Sequence, residues 1–322
     1  MLATTVHDEV SACLEQVESE LRKALSQGRE PFSDISLYLL QSGGKRVRPI
    51  LTLLSAQVFG GDVERIVPLA AAVELVHMAT LVHDDVIDKA TMRRGRPTVN
   101  SIWGAYPSVL AGDCLLARAL VILVDRGTPP VIRIMADMIY RMCEGEMVQT
   151  GNLFNPDQTE EDYFSRIEKK TALFFSACAE SGALLGGASR EQAEAMARYG
   201  LNIGMAFQVV DDLLDIGADE KVLGKAIGSD LMAGVLTLPV IYLLERPAYR
   251  DSLISCLRSK KLQPSDVHAI TDMIQQNGAM DYCYGVARNF AEQARQALTG
   301  LPSNDSHKLL QDIADFIVNR VS

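Results

Sequence analysis

Two short runs of aspartate in this sequence have the spacing of a metal site. The first is Asp84-Asp85-Val86-Ile87-Asp88, and the second is Asp211-Asp212-Leu213-Leu214-Asp215. In a helix, residues four apart share one face, so the first and last aspartates of each run would place like charges side by side. Because that arrangement is unfavourable, each run predicts a bound cation. Carboxylate oxygens favour Mg²⁺ over zinc, and Mg²⁺ commonly bridges carboxylates to substrate phosphates.

The residues around both runs argue against a plain acidic surface. Each run ends a long apolar segment, near the end of a helix where the dipole disfavours anions. An acidic helix end exposed to water is the structural alternative, and it would suffice for either run alone. Two copies in apolar surroundings favour a metal site, with these candidate ligands: Asp84, Asp88, Asp211 and Asp215.

Several basic residues could bind the phosphates that such ions would hold. The segment from Ser42 to Pro49 places backbone N–H groups and three cations at a helix start, which is a natural anion site. His77 lies two helical turns before Asp84, on the same face. Each basic residue alone is commonly a solvated or structural one, but together with two acidic runs they indicate two diphosphate substrates. The remaining candidates are Arg93, Arg94, Lys169, Lys170 with Thr171, and Lys225.

Long helices must position these residues. Helical periodicity predicts helices at about residues 7–25, 46–59, 64–88, 108–125, 130–150, 159–186, 190–216, 237–245, 265–275, 280–298 and 303–320. Residues 89–101 are expected to form a loop, and residues 217–234 a mobile loop that could act as a lid. Strand-like alternation is absent over any useful length. The expected fold is all-α, with residues 1–322 as a single large helical bundle around a central cavity.

The composition agrees with a globular helical protein and disfavours some functions. Of the 322 residues, 48% are apolar, 22% are charged and only 6% are aromatic. A net charge of −10 disfavours nucleic acid as a partner, because an acidic chain repels the phosphate backbone. The sequence shows neither a signal peptide nor an uninterrupted apolar run of about 20 residues, so a cytoplasmic location without a transmembrane segment is expected.

In their order along the chain, these motifs resemble those of the trans-isoprenyl diphosphate synthase family. The resemblance rests on Gly43–Pro49, Leu81–Asp88, Arg93–Gly95, Glu144–Glu146, Lys170–Ala172, Phe207–Asp215, Gly224-Lys225 and Thr237–Pro239. It implies an all-helical prenyltransferase in which Asp84, Asp88 and Asp211 hold Mg²⁺ ions, with Asp215 in support. One position departs from the pattern: Val235 stands where many relatives carry lysine, which indicates the loss of one peripheral phosphate contact.

The resemblance also implies which residues bind each substrate. An allylic diphosphate, farnesyl or similar, would contact Arg93, Lys170, Thr171, Gln208 and Lys225, with Lys170 and Lys225 also acting in catalysis. Isopentenyl diphosphate would contact Lys45, Arg48, His77 and Arg94. The expected reaction is ionisation of the allylic diphosphate, attack by the double bond of isopentenyl diphosphate and loss of a proton. A homodimer is implied, and the need for a small helper subunit is left open.

Small residues before the first aspartate run bear on product length. Thr80 lies one turn before Asp84, Val76 lies one turn further, and Ala79 adjoins Thr80. In the family that the sequence resembles, a bulky aromatic residue here blocks elongation, whereas ordinary helix packing is the alternative reading of a small pair. Ala79 and Thr80 therefore favour an all-trans product of about seven or eight isoprene units (about C35–C40), a quinone side-chain precursor.

Four alternatives to this function stay open. They are a shorter-chain farnesyl or geranylgeranyl synthase, the catalytic subunit of a two-component heptaprenyl diphosphate synthase, a terpene cyclase, and a non-catalytic binding subunit. The second aspartate run argues against a cyclase, since such enzymes usually have an Asn/Ser/Glu metal site there. Both runs and the full set of cations argue against a subunit without catalysis.

Overall fold

The computed structural model describes residues 2–26, 30–93, 95–217 and 228–319, with side chains from residue 11 onward. Helices dominate the described chain, as the sequence predicts. The earlier helices are α1 (Leu2–Leu25), α2 (Phe32–Gln41), α3 (Val47–Gln57), α4 (Val63–Ile87), α5 (Val99–Trp103), α6 (Ala105–Arg126) and α7 (Pro129–Gly151). The later helices are α8 (Glu160–Ile167), α9 (Leu173–Leu185), α10 (Arg190–Gly217), α11 (Ser229–Met232), α12 (Leu238–Leu244), α13 (Pro247–Leu257), α14 (Pro264–Gln276), α15 (Ala279–Ala297) and α16 (Asp305–Asn319).

The chain forms two compact units that alternate along the sequence. The first comprises Met1–Met135, Cys178–Ala197 and Gly300–Leu310, and the second comprises Ala136–Ala177, Arg198–Thr299 and Gln311–Ser322. The first aspartate run belongs to the first unit and the second run to the second unit. The expectation of one domain over residues 1–322 stays a prediction.

Helix α4 is the centre of the first unit. It packs against α1, α3 and α6, and its residues are apolar and buried almost all the way round, as expected for a core helix. Asp62 starts the helix by accepting a hydrogen bond from the N–H of Glu64 at 3.1 Å. Gly112 of α6 allows a close approach, because a Cβ atom there would lie 2.1 Å from His83 Nε2. This packing fixes the end of α4 that carries Asp84.

In the second unit, a π-helix interrupts the predicted helix 159–186. A capping box between Thr159 and Asp162 starts α8, and Glu168–Ala172 then form the π-helix that precedes α9. The wider turn changes the direction of the side chains that follow, and such π segments are frequent at functional sites. Gly204 of α10 permits close approach to this segment, since a Cβ atom there would lie 2.5 Å from the Cα atom of Ala172.

The predicted loop at 89–101 is more regular than expected. Strand β1 (Met92–Arg93) pairs antiparallel with strand β2 (Arg96–Pro97), with Arg93 opposite Arg96. Gly95 has φ +73°, a conformation that favours glycine and suits a tight hairpin. The prediction of a loop is wrong for these four residues, because strands of two residues are too short to show an alternating pattern. The all-α fold class is confirmed, since this hairpin is the one sheet among the described residues.

The sequence also left three helices and one loop incompletely predicted. It does not predict α2 or α13, and α5 begins at Val99, inside the predicted loop 89–101. Helix α13 begins at Pro247, which suits a first helical turn but breaks a helix interior. Of the expected lid at 217–234, residues 218–227 lie outside the described residues. The remainder contains Gly217 at the end of α10 and the short helix α11.

Two described helices, α4 and α6, are long and apolar enough to span a membrane by length and composition alone. In α4, 72% of the most apolar stretch is buried in the protein, so this helix is accounted for as the core of its unit. In α6, only 33% of the corresponding stretch is buried. Helix α6 therefore combines a face packed on α4 with an exposed apolar face.

Candidate active site

The first aspartate run lies at the C-terminal end of α4. Asp84 is half-buried, Asp88 is exposed and caps the helix, and Asp85 is buried. Asp85 Oδ1 accepts a hydrogen bond from Arg93 Nε at 2.8 Å. Burial raises the pKa of Asp85, and the guanidinium of Arg93 opposes that rise. The run therefore has one inward carboxylate that holds Arg93 and two carboxylates with greater exposure.

Two of the predicted ligands of isopentenyl diphosphate meet in the first unit. Arg48 Nη1 lies 3.3 Å from His77 Nε2. Lys45 is exposed just before α3, three residues ahead of Arg48. Arg94, the fourth predicted ligand, lies outside the described residues. The structure thus brings Arg48 and His77 together at a position where an anion would meet both.

A buried ion network, which sequence reasoning missed, anchors this segment. Arg46 Nε lies 2.7 Å from Glu18 Oε1, and Arg46 Nη1 lies 2.6 Å from Glu74 Oε1. Burial lowers the pKa of Arg46, but the two glutamates outweigh it, so the pKa is raised. Arg46 has φ +49°, which is uncommon for a residue other than glycine, and the ion pairs hold this backbone between Lys45 and Arg48. Glu74, a charged residue within an apolar helix, was the available sequence signal.

The second aspartate run, near the C-terminal end of α10, has different surroundings. Asp211 is exposed, whereas Asp212 is buried. Asp212 accepts hydrogen bonds from the Tyr163 hydroxyl and from Gln208 Nε2, each at 2.8 Å. Burial raises the pKa of Asp212 to about 7. The second carboxylate of this run is therefore stabilised by two neutral donors, where Asp85 of the first run has a guanidinium.

Asp215, the last residue of the second run, is also turned inward. It is 2% exposed, and its two oxygens accept hydrogen bonds from Ser229 Oγ at 2.8 Å and from the N–H of Asp230 at 3.2 Å. These bonds tie the end of α10 to the start of α11. They fit the supporting role expected for Asp215 better than direct metal ligation, and its assignment as a ligand stays a prediction.

The π-helix presents two predicted ligands of the allylic diphosphate. Thr171 Oγ1 donates a hydrogen bond to Gln208 Oε1 at 2.8 Å, so Thr171 and Gln208 are brought together. Lys170 Nζ lies 2.8 Å from Glu146 Oε2 of α7. Through Gln208, Thr171 is linked to the buried Asp212. Lys225, the other predicted lysine, lies outside the described residues.

The two residues predicted to control product length differ in exposure. Ala79 is 2% exposed, and Val76, one turn before Thr80, is 1% exposed. Thr80 is partly exposed, and its hydroxyl donates a hydrogen bond to the carbonyl oxygen of His77 at 2.8 Å. Because that bond satisfies the hydroxyl within the helix, Thr80 offers its methyl group to its surroundings.

The carboxylates present fit a hard divalent cation that is shared with phosphate. Across residues 2–26, 30–93, 95–217 and 228–319, no group of three or more His, Cys, Asp and Glu side chains could hold a metal ion by itself. In the first unit, Asp84 and Asp88 supply oxygen donors one helical turn apart. In the second unit, Asp211 is the exposed carboxylate of its run. Mg²⁺ is typically held by one or two carboxylates, with substrate phosphates and waters completing its shell.

Comparisons with known proteins agree over nearly the whole chain. The family model described as polyprenyl synthetase matches residues 29–274. Heptaprenyl diphosphate synthase component 2 of Geobacillus stearothermophilus is 38% identical over 307 residues, which cover 95% of each chain. The short chain isoprenyl diphosphate synthase of Methanothermobacter thermautotrophicus is also 38% identical, over 91% of this chain and 94% of its own.

A solved structure shares the fold. The polyprenyl synthase of Caulobacter crescentus, complexed with calcium and isoprenyl diphosphate, superimposes with a TM-score of 0.94 at 33% identity. The match covers 99% of this chain and 98% of that protein. A divalent cation and an isoprenyl diphosphate therefore bind together to a protein of this fold.

Proposed function

Since the chain belongs to the polyprenyl synthetase family, we propose that it joins isopentenyl diphosphate to an allylic diphosphate, with Mg²⁺, to build an all-trans polyprenyl diphosphate. Membership confirms the predicted family and makes the protein a prenyltransferase. The observation that carries the proposal is the pair of aspartate runs. Each run has at least one exposed carboxylate, and side chains that could bind phosphate lie near it. A product of about seven or eight isoprene units agrees with relatives named heptaprenyl and octaprenyl diphosphate synthase.

Ionisation of the allylic substrate is the first chemical step. Asp84, Asp88 and Asp211 would hold Mg²⁺, whose positive charge favours departure of the diphosphate. Thr171 and Gln208 are fixed by their mutual hydrogen bond, so they would orient the diphosphate with little loss of side-chain entropy. The remaining contacts proposed for this diphosphate are Arg93, Lys170 and Lys225.

Isopentenyl diphosphate would be held by the segment before α3 and by α4. Arg48 and His77 already lie 3.3 Å apart, and Lys45 adjoins them in sequence. Together with Arg94 they would supply the charge-assisted hydrogen bonds that a diphosphate accepts. Its double bond attacks the allylic cation, and the proton that is then lost is expected to leave with the released diphosphate.

Product length would be set along α4, before Asp84. The small side chain of Ala79 and the methyl group of Thr80 leave room for a growing tail where an aromatic residue would stop it. A medium or long chain is therefore favoured, and a quinone side chain is its proposed use. Relatives named for short-chain and geranylgeranyl products make a shorter product the main competing outcome.

A homodimer is the proposed assembly, in the cytoplasm. The exposed face of α6 carries a row of large apolar side chains, each between 42% and 77% exposed: Tyr106, Val109, Leu110, Leu120, Val121 and Val124. An exposed apolar patch of this kind is typical of a protein interface. One relative is named component 2 of its enzyme, so a helper subunit is the other candidate for this face.

The proposal is tested by incubating the purified chain with Mg²⁺, farnesyl diphosphate and labelled isopentenyl diphosphate, then sizing the products. Products of about seven or eight units are expected, with none when EDTA is added. Products of geranylgeranyl size would indicate the shorter-chain alternative. Activity that begins only when a helper subunit is supplied would indicate a two-component enzyme. The absence of product with every primer and helper would contradict the proposal.

A further inference from the structure

The hairpin after the first aspartate run carries two arginines on one face. Arg93 of β1 is directly opposite Arg96 of β2. In an antiparallel pair, side chains that are directly opposite project from the same face, and like charges at such positions destabilise the pair. Arg93 is relieved by Asp85, whose Oδ1 lies 2.8 Å from its Nε. Arg96 therefore requires its own source of stabilisation.

An aromatic ring, with no acidic partner, holds Arg96 in place. The Arg96 guanidinium carbon lies 4.7 Å from the centre of the Tyr38 ring. Tyr38 is itself fixed, since its hydroxyl donates a hydrogen bond to the carbonyl oxygen of Pro97 and its ring packs edge-on against Trp103 at 5.4 Å. No carboxylate pairs with Arg96 in the part of the chain that the structure describes. A guanidinium held by ring stacking is oriented but keeps its hydrogen-bond donors for another acceptor.

Both arginines line a cleft that belongs to the first unit. The cleft is partly open to solvent. The residues that line it include Ser42, Gly43, His77, Arg93 and Arg96. The third guanidinium on the cleft, that of Arg46, is paired with Glu74 and Glu18. Arg96 is thus the guanidinium on this wall whose charge is left for a ligand.

We propose that Arg96 is a further binding residue for the diphosphate of the isopentenyl substrate. This inference rests on the proposed function and adds to it a residue outside the motifs on which the family resemblance rests. The isopentenyl substrate is favoured over the allylic one because His77, a proposed isopentenyl ligand, lines the cleft together with Ser42 and Gly43, which precede Lys45. Arg93, a proposed allylic ligand, lines the cleft as well, but it is already bonded to Asp85. Arg96 would act as an oriented, bidentate donor to phosphate oxygens.

Separate Michaelis constants for the two substrates test the inference. Arg96→Gln removes the charge and is expected to raise the KM for isopentenyl diphosphate about tenfold, with the KM for the allylic substrate and kcat within about twofold of wild type. Arg96→Lys keeps a point charge without the planar fork and should recover only part of the loss. Arg65→Gln is the matched control, because Arg65 is exposed on α4, twelve residues before His77.

A binding measurement separates this inference from the reaction itself. Calorimetry with pyrophosphate and Mg²⁺ should show weaker binding to Arg96→Gln than to Arg65→Gln, with unchanged melting temperatures for both. An unchanged isopentenyl KM together with unchanged pyrophosphate binding would overturn the role of Arg96 while leaving the enzyme assignment intact. A rise confined to the allylic KM would also overturn it, by assigning Arg96 to the other diphosphate.

If wild type shows no turnover at all, the proposed function fails, and the pyrophosphate measurement alone still decides whether Arg96 binds the anion.

Discussion

The two aspartate runs have the same spacing, yet the second aspartate of each run accepts hydrogen bonds from different kinds of neighbour. Asp85 and Asp212 are both buried, and burial raises the pKa of each. Asp85 is bonded to the charged guanidinium of Arg93, whereas Asp212 accepts from the neutral Tyr163 hydroxyl and from Gln208. The first run thus positions the guanidinium of Arg93, which could bind phosphate. The second run positions a neutral pair, Gln208 of α10 and Thr171 of the π-helix.

The last residues of the runs differ as well. Asp88 is exposed at the end of α4, whereas Asp215 is buried and bonded to Ser229 and Asp230. The first run therefore presents one half-buried carboxylate, Asp84, and one exposed carboxylate, Asp88, whereas the second presents only Asp211. Equal spacing in the sequence does not imply an equal number of metal ligands, because the residues packed around each helix end decide which carboxylates face outward.

The largest expected effect comes from removing an outward carboxylate. Asp84→Ala should lower kcat by about 10³-fold or more, because a metal ligand on the leaving diphosphate is lost. The melting temperature should hardly change, since the substitution also removes repulsion between like charges one turn apart. Steady-state kinetics with a circular-dichroism melt measures both.

Asp215→Asn is the matched substitution on the inward side. It keeps the size of the side chain and an oxygen that can accept from Ser229, so a loss of activity much smaller than that of Asp84→Ala is expected. A nearly active Asp84→Ala enzyme would remove the basis of the metal assignment. Equal losses for both variants would show that the outward and inward distinction does not hold.

The next largest effect tests the neutral donors of the second run. Tyr163→Phe removes one of the two hydrogen bonds to Asp212 and leaves a buried carboxylate with a single neutral donor. The free energy of unfolding should fall by about 1–3 kcal/mol. Because Asp212 also holds Gln208, and Gln208 holds Thr171, kcat/KM for the allylic substrate should fall about tenfold while the KM for isopentenyl diphosphate stays unchanged.

Tyr199→Phe provides the control for that variant. Tyr199 is a fully buried tyrosine on the same helix as Asp212, and burial raises its pKa too, but it lies outside the Asp212 network. A stability change without a change in allylic kinetics is expected. If Tyr163→Phe altered stability alone, in the same way as Tyr199→Phe, the network would be structural and would have no role in positioning Gln208.

A smaller effect is expected at the corresponding residue of the first run. Asp85→Asn retains an oxygen that can accept from Arg93 Nε but removes the charge, so Arg93 should lose orientation without losing its contact. We expect the KM for the allylic substrate to rise about threefold, with a steeper dependence on ionic strength because Arg93 becomes more solvated. Initial rates between low and high salt measure this. A loss as large as that of Asp84→Ala would instead make Asp85 a direct ligand.

Sequence reasoning predicted the fold class, most of the long helices and the enzyme family, but it missed the contacts that set side-chain direction. The spacing within α4 and α10 is local, so helical periodicity alone brings Asp84 beside Asp88. The π-helix at 168–172 packs closely against Gly204 of α10, a residue far from it in sequence. The Arg46 ion network joins three helices in the same way. Such partners are set by packing, which a single sequence shows only indirectly, for example by Glu74 within an apolar helix.

The smallest effect on rate is expected from substitutions at two matched alanines. Comparing them is the sharpest test of which helix the growing product follows. Ala79 and Ala206 are both buried, and each lies five residues before the first aspartate of its run. Substituting either with Phe overpacks its surroundings and should destabilise the protein by about 1–3 kcal/mol. Only Ala79→Phe should shorten the product, because the growing tail is expected to run along α4. Product sizing by chromatography distinguishes the outcomes. Shortening by Ala206→Phe instead would assign the tail to α10, and shortening by both would mean that general loosening of the core controls length.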